Sequence, residues 1–192
     1  MKKRWIILFL VLSLRGFSQT TFYDSLAKFA ISLTTKSVEY DPSYVTIAYP
    51  NGDVAENKGV CTDVIIRAYR KMGIDLQKEV HEDMVAHFSK YPKKWGLTSP
   101  DKNIDHRRVP NLMIFFARHG TEKPITNNPK DYKPGDIVCW NLGLGVTHIG
   151  LVVNTKSADG KRYKIVHNIG AGQVEEDMLF NYTIIGHYQY KK

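Results

Sequence analysis

The spacing of apolar positions changes once along the chain. From Asp24 to about Lys36, Leu26, Phe29, Ala30 and Leu33 recur at helical intervals, with Asp24 or Ser25 as a start signal. Tyr44 to Tyr49 alternates and is β-branched, which predicts an extended stretch closed by Pro50-Asn51-Gly52-Asp53. The helical period returns in Val60, Val64, Ile65, Ala68 and Met72, and Gly73 is the stop. Further helices are predicted over Glu82 to Ser89 and over Asn111 to His119, the second closed by Gly120. Past Pro124 the segments become short and β-branched: Asp136 to Asn141, Thr147 to Asn154, Arg162 to Asn168 and Thr183 to Tyr190. Ala158-Asp159-Gly160 is a hairpin signal between two of them. Helices first and an antiparallel meander second predict an α+β fold, and no Pro-, Gly- or Ser-rich boundary divides it.

The residues ahead of this pattern differ in kind. Lys2, Lys3 and Arg4, the apolar run Trp5 to Leu12 and Gly16-Phe17-Ser18 read as a secretory leader over residues 1–18, leaving one domain over 19–192. The run is too short for a mature membrane span, and no integral membrane segment is expected in the remainder. The protein is therefore expected in the periplasm or secreted. The net charge of +8 includes Lys2, Lys3, Arg4 and Arg15, so the rest carries +4. That surplus suits an anionic cell surface, and no arginine-rich stripe or aromatic motif points to nucleic acid. With 43% hydrophobic and 24% charged positions, the composition excludes a long disordered region and a coiled coil.

Two cysteines, Cys61 and Cys139, are present, and in an oxidising compartment a pair is by default one disulfide. Cys61 has another reading. It opens the Val60–Met72 helix in Gly59-Val60-Cys61-Thr62-Asp63-Val64, where unpaired N–H groups and the positive helix end favour a thiolate and can hold an oxyanion. A base is available in His148, which shares a strand face with Gly150 and Val152; Gly150 is expected to leave space beside the imidazole. A hairpin turning near Asp159-Gly160 brings His167 onto the neighbouring strand, where it can orient His148. Asp136, His148 and His167 are an alternative zinc set, which would leave the cysteine without a role; no metal or other cofactor is expected.

Several of these blocks, in this order, resemble the NlpC-type cysteine peptidases, a papain-like family that cleaves bacterial cell-wall peptides. Gly59-Val60-Cys61-Thr62-Asp63-Val64 is similar to its Asp-Cys-Ser-Gly block. Pro134-Gly135-Asp136-Ile137-Val138 and Thr147-His148-Ile149-Gly150-Leu151-Val152 resemble its Gly-Asp and His-Val-Gly strands, and Val166-His167-Asn168 its third-residue strand. Tyr49-Pro50-Asn51-Gly52 is similar to its tyrosine-glycine stretch. Longer phrases, among them Val80-His81-Glu82-Asp83-Met84 and Asp105-His106-Arg107-Arg108-Val109, look closer to an exported bacterial branch described as a domain of unknown function.

The resemblance implies an N-terminal helical part packed on the meander. It implies an exported hydrolase of peptidoglycan stem-peptide amides, with Cys61 as nucleophile, His148 as general base and His167 orienting it. By the same resemblance Tyr49 lines the oxyanion site. Thr62-Asp63 stands where the family has Ser-Gly, which places Asp63 among the substrate contacts. An insert over about Glu79 to Pro124 is where substrate groups are sought, with Arg107 and Arg108 as forks for carboxylates. A monomer is expected. A binding module and an acyltransferase on the same fold are the alternatives.

Overall fold

The computed structural model describes residues 21–192, and the leader expected over residues 1–18 lies outside them. Among the described residues four α-helices, α1 (Phe22–Leu33), α2 (Cys61–Lys71), α3 (Leu76–His87) and α4 (Val109–His119), accompany eight strands. β1 (Glu39–Tyr40) and β2 (Lys58–Gly59) form a small parallel pair. The main sheet contains β3 (Thr121–Glu122), β4 (Ile137–Asn141), β5 (Thr147–Lys156), β6 (Tyr163–His167), β7 (Val174–Glu176) and β8 (Thr183–Gln189). Every pairing in it is antiparallel, in the order β3-β8-β4-β5-β6-β7. The α+β architecture follows, with one departure from a plain meander: the last strand returns to lie between β3 and β4.

Capping explains where the helices begin. Thr21, not Asp24 or Ser25, starts α1: its hydroxyl accepts the Asp24 N–H at 3.1 Å and the Asp24 carboxylate accepts the Thr21 N–H at 3.2 Å. α3 starts at Leu76, ahead of the expected Glu82, because the Asp75 carboxylate takes the N–H groups of Gln77 and Lys78 at 3.0 and 3.3 Å. The expected extended stretch at Tyr44 to Tyr49 forms no strand. Side chains serve its backbone instead, Asn103 accepting from Ile47 N–H at 3.1 Å and Gln77 donating to Ala48 C=O at 2.8 Å. The hairpin after β5 falls where expected, with Gly160 at φ +70°.

The two sheet faces carry different cores. Ile149, Leu151, Val153, Cys139 and Val166 pack with α1 and α2, through Leu26, Ala30, Val64, Ile65 and Ala68. Val138, Trp140, Val152 and Ile165 pack on the other side against Tyr132, Met178 and Leu179. Trp140 completes this second core by donating its indole N–H to Leu179 C=O at 2.9 Å. Among the described residues no helix is long and apolar enough to cross a membrane.

Candidate active site

The start of α2 is fixed from three directions. Val60 is extended, and its N–H reaches the Asp63 carboxylate at 2.7 Å, which closes the first turn. Arg107 grips the same carboxylate with two parallel bonds, Nε to Oδ1 and Nη2 to Oδ2, each 3.0 Å. The Thr62 hydroxyl donates to the Arg107 C=O at 3.2 Å, and Asn168 Nδ2 to the Gly59 C=O at 3.3 Å. Cys61 thus begins a helix whose position is set by side chains that are themselves buried. Both cysteines are free thiols, so the default disulfide is not formed.

The backbone N–H groups of Ile149, Thr62 and Cys61 itself act to favour the anion of the Cys61 sulfur. Val152 bonds toward the β4 side, donating to Asp136 C=O and accepting from Gly135 N–H, each at 2.8 Å. By alternation Ile149 points its N–H toward the β6 side. Pairing of β5 with β6 begins only at Leu151–Val166, so Ile149 N–H is left for the sulfur. The thiol therefore meets the sheet at the start of β5, before its pairing with β6 begins, beside the backbone of the residue that follows His148.

His148 shares its face with Trp140, whose ring lies 5.8 Å away, and not with the α2 side. The space expected beside Gly150 is closed: a Cβ there would lie 2.5 Å from Ile165 Cγ2 and 3.2 Å from His167 Cβ. That close approach brings the histidines together. His148 Nε2 lies 3.1 Å from His167 Nδ1, and His167 Nε2 lies 3.1 Å from Glu176 Oε2. The Glu176 carboxylate can only accept, so His167 carries its proton on Nε2 and His148 donates Nε2–H to His167 Nδ1. His148 Nδ1 then keeps a free lone pair.

Electrostatics set the resting state. Burial pushes the Cys61 thiol up to about 12, outweighing the three N–H groups that favour its anion; Asp63 adds to the rise. Burial, then His167, lowers His148 to about 3. Burial also lowers His167, against the pull of Glu176. The expected helix-stabilised thiolate is thus overturned: a neutral thiol and neutral imidazoles are favoured, because desolvation outweighs a partial helix charge.

Residues 27–190 fit the family model described as domain of unknown function (DUF1287). The chain belongs to the DUF1287 family. It is also 55% identical over 151 residues to the uncharacterized protein YijF of Escherichia coli (strain K12), covering 79% of this chain and 73% of that one. The DUF1287 match takes in Cys61, His148, His167 and Glu176, and also the segment read as an insert.

Within the DUF1287 domain the remaining expected residues separate. Tyr49 is not brought to the cysteine: its ring packs edge-on against His81 at 5.3 Å, with Lys102 5.8 Å from its centroid. The tyrosine beside Cys61 is Tyr40, which lines the same cleft and feels the sulfur's charge. Asp63 and Arg107 hold each other, so neither has a fork or carboxylate left for a ligand. Asp136 is taken by His187 Nε2 at 2.7 Å, Gln189 Nε2 at 2.7 Å and Lys133 N–H at 2.8 Å, and is not joined to His148 or His167 as the zinc alternative requires. Of the two arginines, Arg108 alone has an open edge. It lines the cleft of about 550 Å³ with Cys61 and Trp95. Glu176 and Tyr40 escaped the sequence reading, since each lies in a strand of two or three residues with no period to register.

Proposed function

We propose that this protein is an exported cysteine hydrolase of papain-like, NlpC-type design that cleaves amide bonds in peptidoglycan stem peptides. The observation that carries the reading is the chain His148–His167–Glu176, which leaves a lone pair on His148 Nδ1 at the end of β5 that Cys61 also approaches.

The chemistry follows from neutral partners. His148 rests on the Trp140 face, so in this reading its imidazole must turn toward Cys61 at the start of β5. As sulfur attacks the substrate carbonyl carbon, its proton then passes to His148 Nδ1, and the N–H groups at the α2 start stabilise the carbonyl oxygen as it becomes an oxyanion. Collapse breaks the C–N bond, and the amine leaves with the proton from His148. Water, activated by the same nitrogen, then releases the acid and restores the thiol. Trp140, tilted against His148, keeps water from its rear face. Because the imidazolium forms only during the reaction, His167 and Glu176 act by stabilising it at that moment.

Mass spectrometry of purified cell-wall fragments incubated with wild type and Cys61→Ala tests this. New amines should appear with wild type alone; identical products from both proteins refute the mechanism. The raised thiol, the lowered His148 pKa and the turn of His148 away from α2 favour the non-catalytic alternative. Cell-wall binding with no amine released from any stem peptide would make the protein a binding module.

A further inference from the structure

The cleft at Cys61 is lined by Tyr40, Tyr44, Trp95 and two arginines, and no Asp or Glu lines it. The arginines are unequal. Arg107 is neutralised by the bidentate bond to Asp63. Arg108 has its guanidinium carbon 4.2 Å from the centroid of the half-exposed Trp95 ring, and its Nη1 is buried with no hydrogen-bond partner. Burial lowers its pKa, while Asp105 and Asp101 act on it in the opposite sense. Asp105 Oδ2 already holds His81 and the Asp101 N–H, and Asp105 Oδ1, itself buried without a partner, makes no hydrogen bond or ion pair with Arg108. A guanidinium left unpaired in an acid-free cleft is short of an anion. Trp95 supports its plane, and the planar fork matches a carboxylate through two parallel bonds.

We propose that Arg108, supported by Trp95, binds a free carboxylate of the substrate, so that the Cys61 cleft selects acidic peptides over neutral ones. The inference rests on the hydrolase reading of Cys61 but concerns a separate side chain. In a peptide the carboxylate has two sources, the C-terminus or an acidic residue beside the scissile amide.

Cys61 itself provides the probe. Iodoacetate and iodoacetamide form the same S–C bond and expel the same iodide, and differ in the charge that Arg108 would bind. Their rates at Cys61 are read by peptide mapping at pH 9, in wild type, Arg108→Gln and Arg108→Lys, with thermal melts to establish folding. The iodoacetate/iodoacetamide ratio should fall about tenfold in Arg108→Gln and less in Arg108→Lys. Peptides present during iodoacetamide labelling identify the source: the free acid should protect Cys61, and amidation of the recognised carboxylate, terminal or side-chain, should remove protection. An unchanged ratio in both variants, or equal protection by acid and amide, overturns the Arg108 inference and leaves the hydrolase standing. A Cys61 that neither reagent modifies overturns the nucleophile reading, and this inference with it.

Discussion

The sheet holds two sets of buried histidines, and they are wired differently. His187 on β8 has both ring nitrogens fixed: Nδ1 donates to the Pro124 C=O at 3.0 Å and Nε2 meets Asp136 at 2.7 Å, while the ring stacks on Tyr132 at 4.4 Å. A carbonyl on one side and a carboxylate on the other leave that imidazole no lone pair to offer. His148 and His167 are as deeply buried, yet their bonds run in one direction, from Glu176 at the half-exposed end to a basic nitrogen at the other. Burial does not distinguish the two sets. The direction of their hydrogen bonds does.

The largest effect that would break this contrast is at the thiol end. Cys61→Ala and His148→Ala should each lower amine release from stem peptides by about 10⁴-fold or more while thermal melts show a folded protein. Asp136→Ala should do the reverse. It leaves His187 buried without its anion, and chemical denaturation should show a loss of about 3–5 kcal/mol, with residual folded protein still active. If Asp136→Ala abolished turnover without loss of stability, the two histidine sets would have to exchange roles.

Glu176 gives a finer test. Glu176→Ala should reduce kcat about 10- to 100-fold with KM little changed, because the proton on His167 is no longer directed to Nε2. Glu176→Gln retains an accepting oxygen and should recover most of the rate. A Gln variant as poor as Ala would show that charge, not tautomer, is what Glu176 supplies.

The smallest effect is in acid. His148 and His106 both have folded-state pKa values lowered to about 3 by burial, from 6.5. The unfolded chain therefore binds protons first, so their contribution is complete above pH 6.5 and is lost as pH falls from 6.5 toward 3. Each adds at most about 1.4 kcal/mol per pH unit to the slope, and His148→Gln should flatten it in denaturation curves collected across that range. An unaltered slope would mean that His148 is hydrated in the folded protein.

What could be read from the sequence depended on range. The cysteine at a helix start and the hairpin register are local, and His148 and His167 meet as their spacing predicts, but His148 faces Trp140 on the side of the sheet away from α2 and so is not brought to Cys61. Asp63 and Arg107 are separated by 44 residues, so nothing local could show that they neutralise each other. Tyr49 sat in a familiar-looking tyrosine-glycine stretch, but the irregular backbone after Asp41 directs it to α3, and Tyr40 on β1 takes the place beside the sulfur. The thiolate expectation failed for a reason of magnitude: a helix end supplies part of a charge, and burial removes the solvation of a whole one.

The return of β8 has a consequence for how the chain acquires its shape. Residues 183–189 separate β3 from β4, and the Tyr190 C=O accepts the Tyr69 hydroxyl at 3.0 Å, tying the extreme C-terminus to α2. Until those residues are available, β4 and β3 each present a bare edge, and the pairing that joins them spans long stretches of chain. The β3 and β4 halves of the sheet therefore gain their shared neighbour only when β8 docks between them.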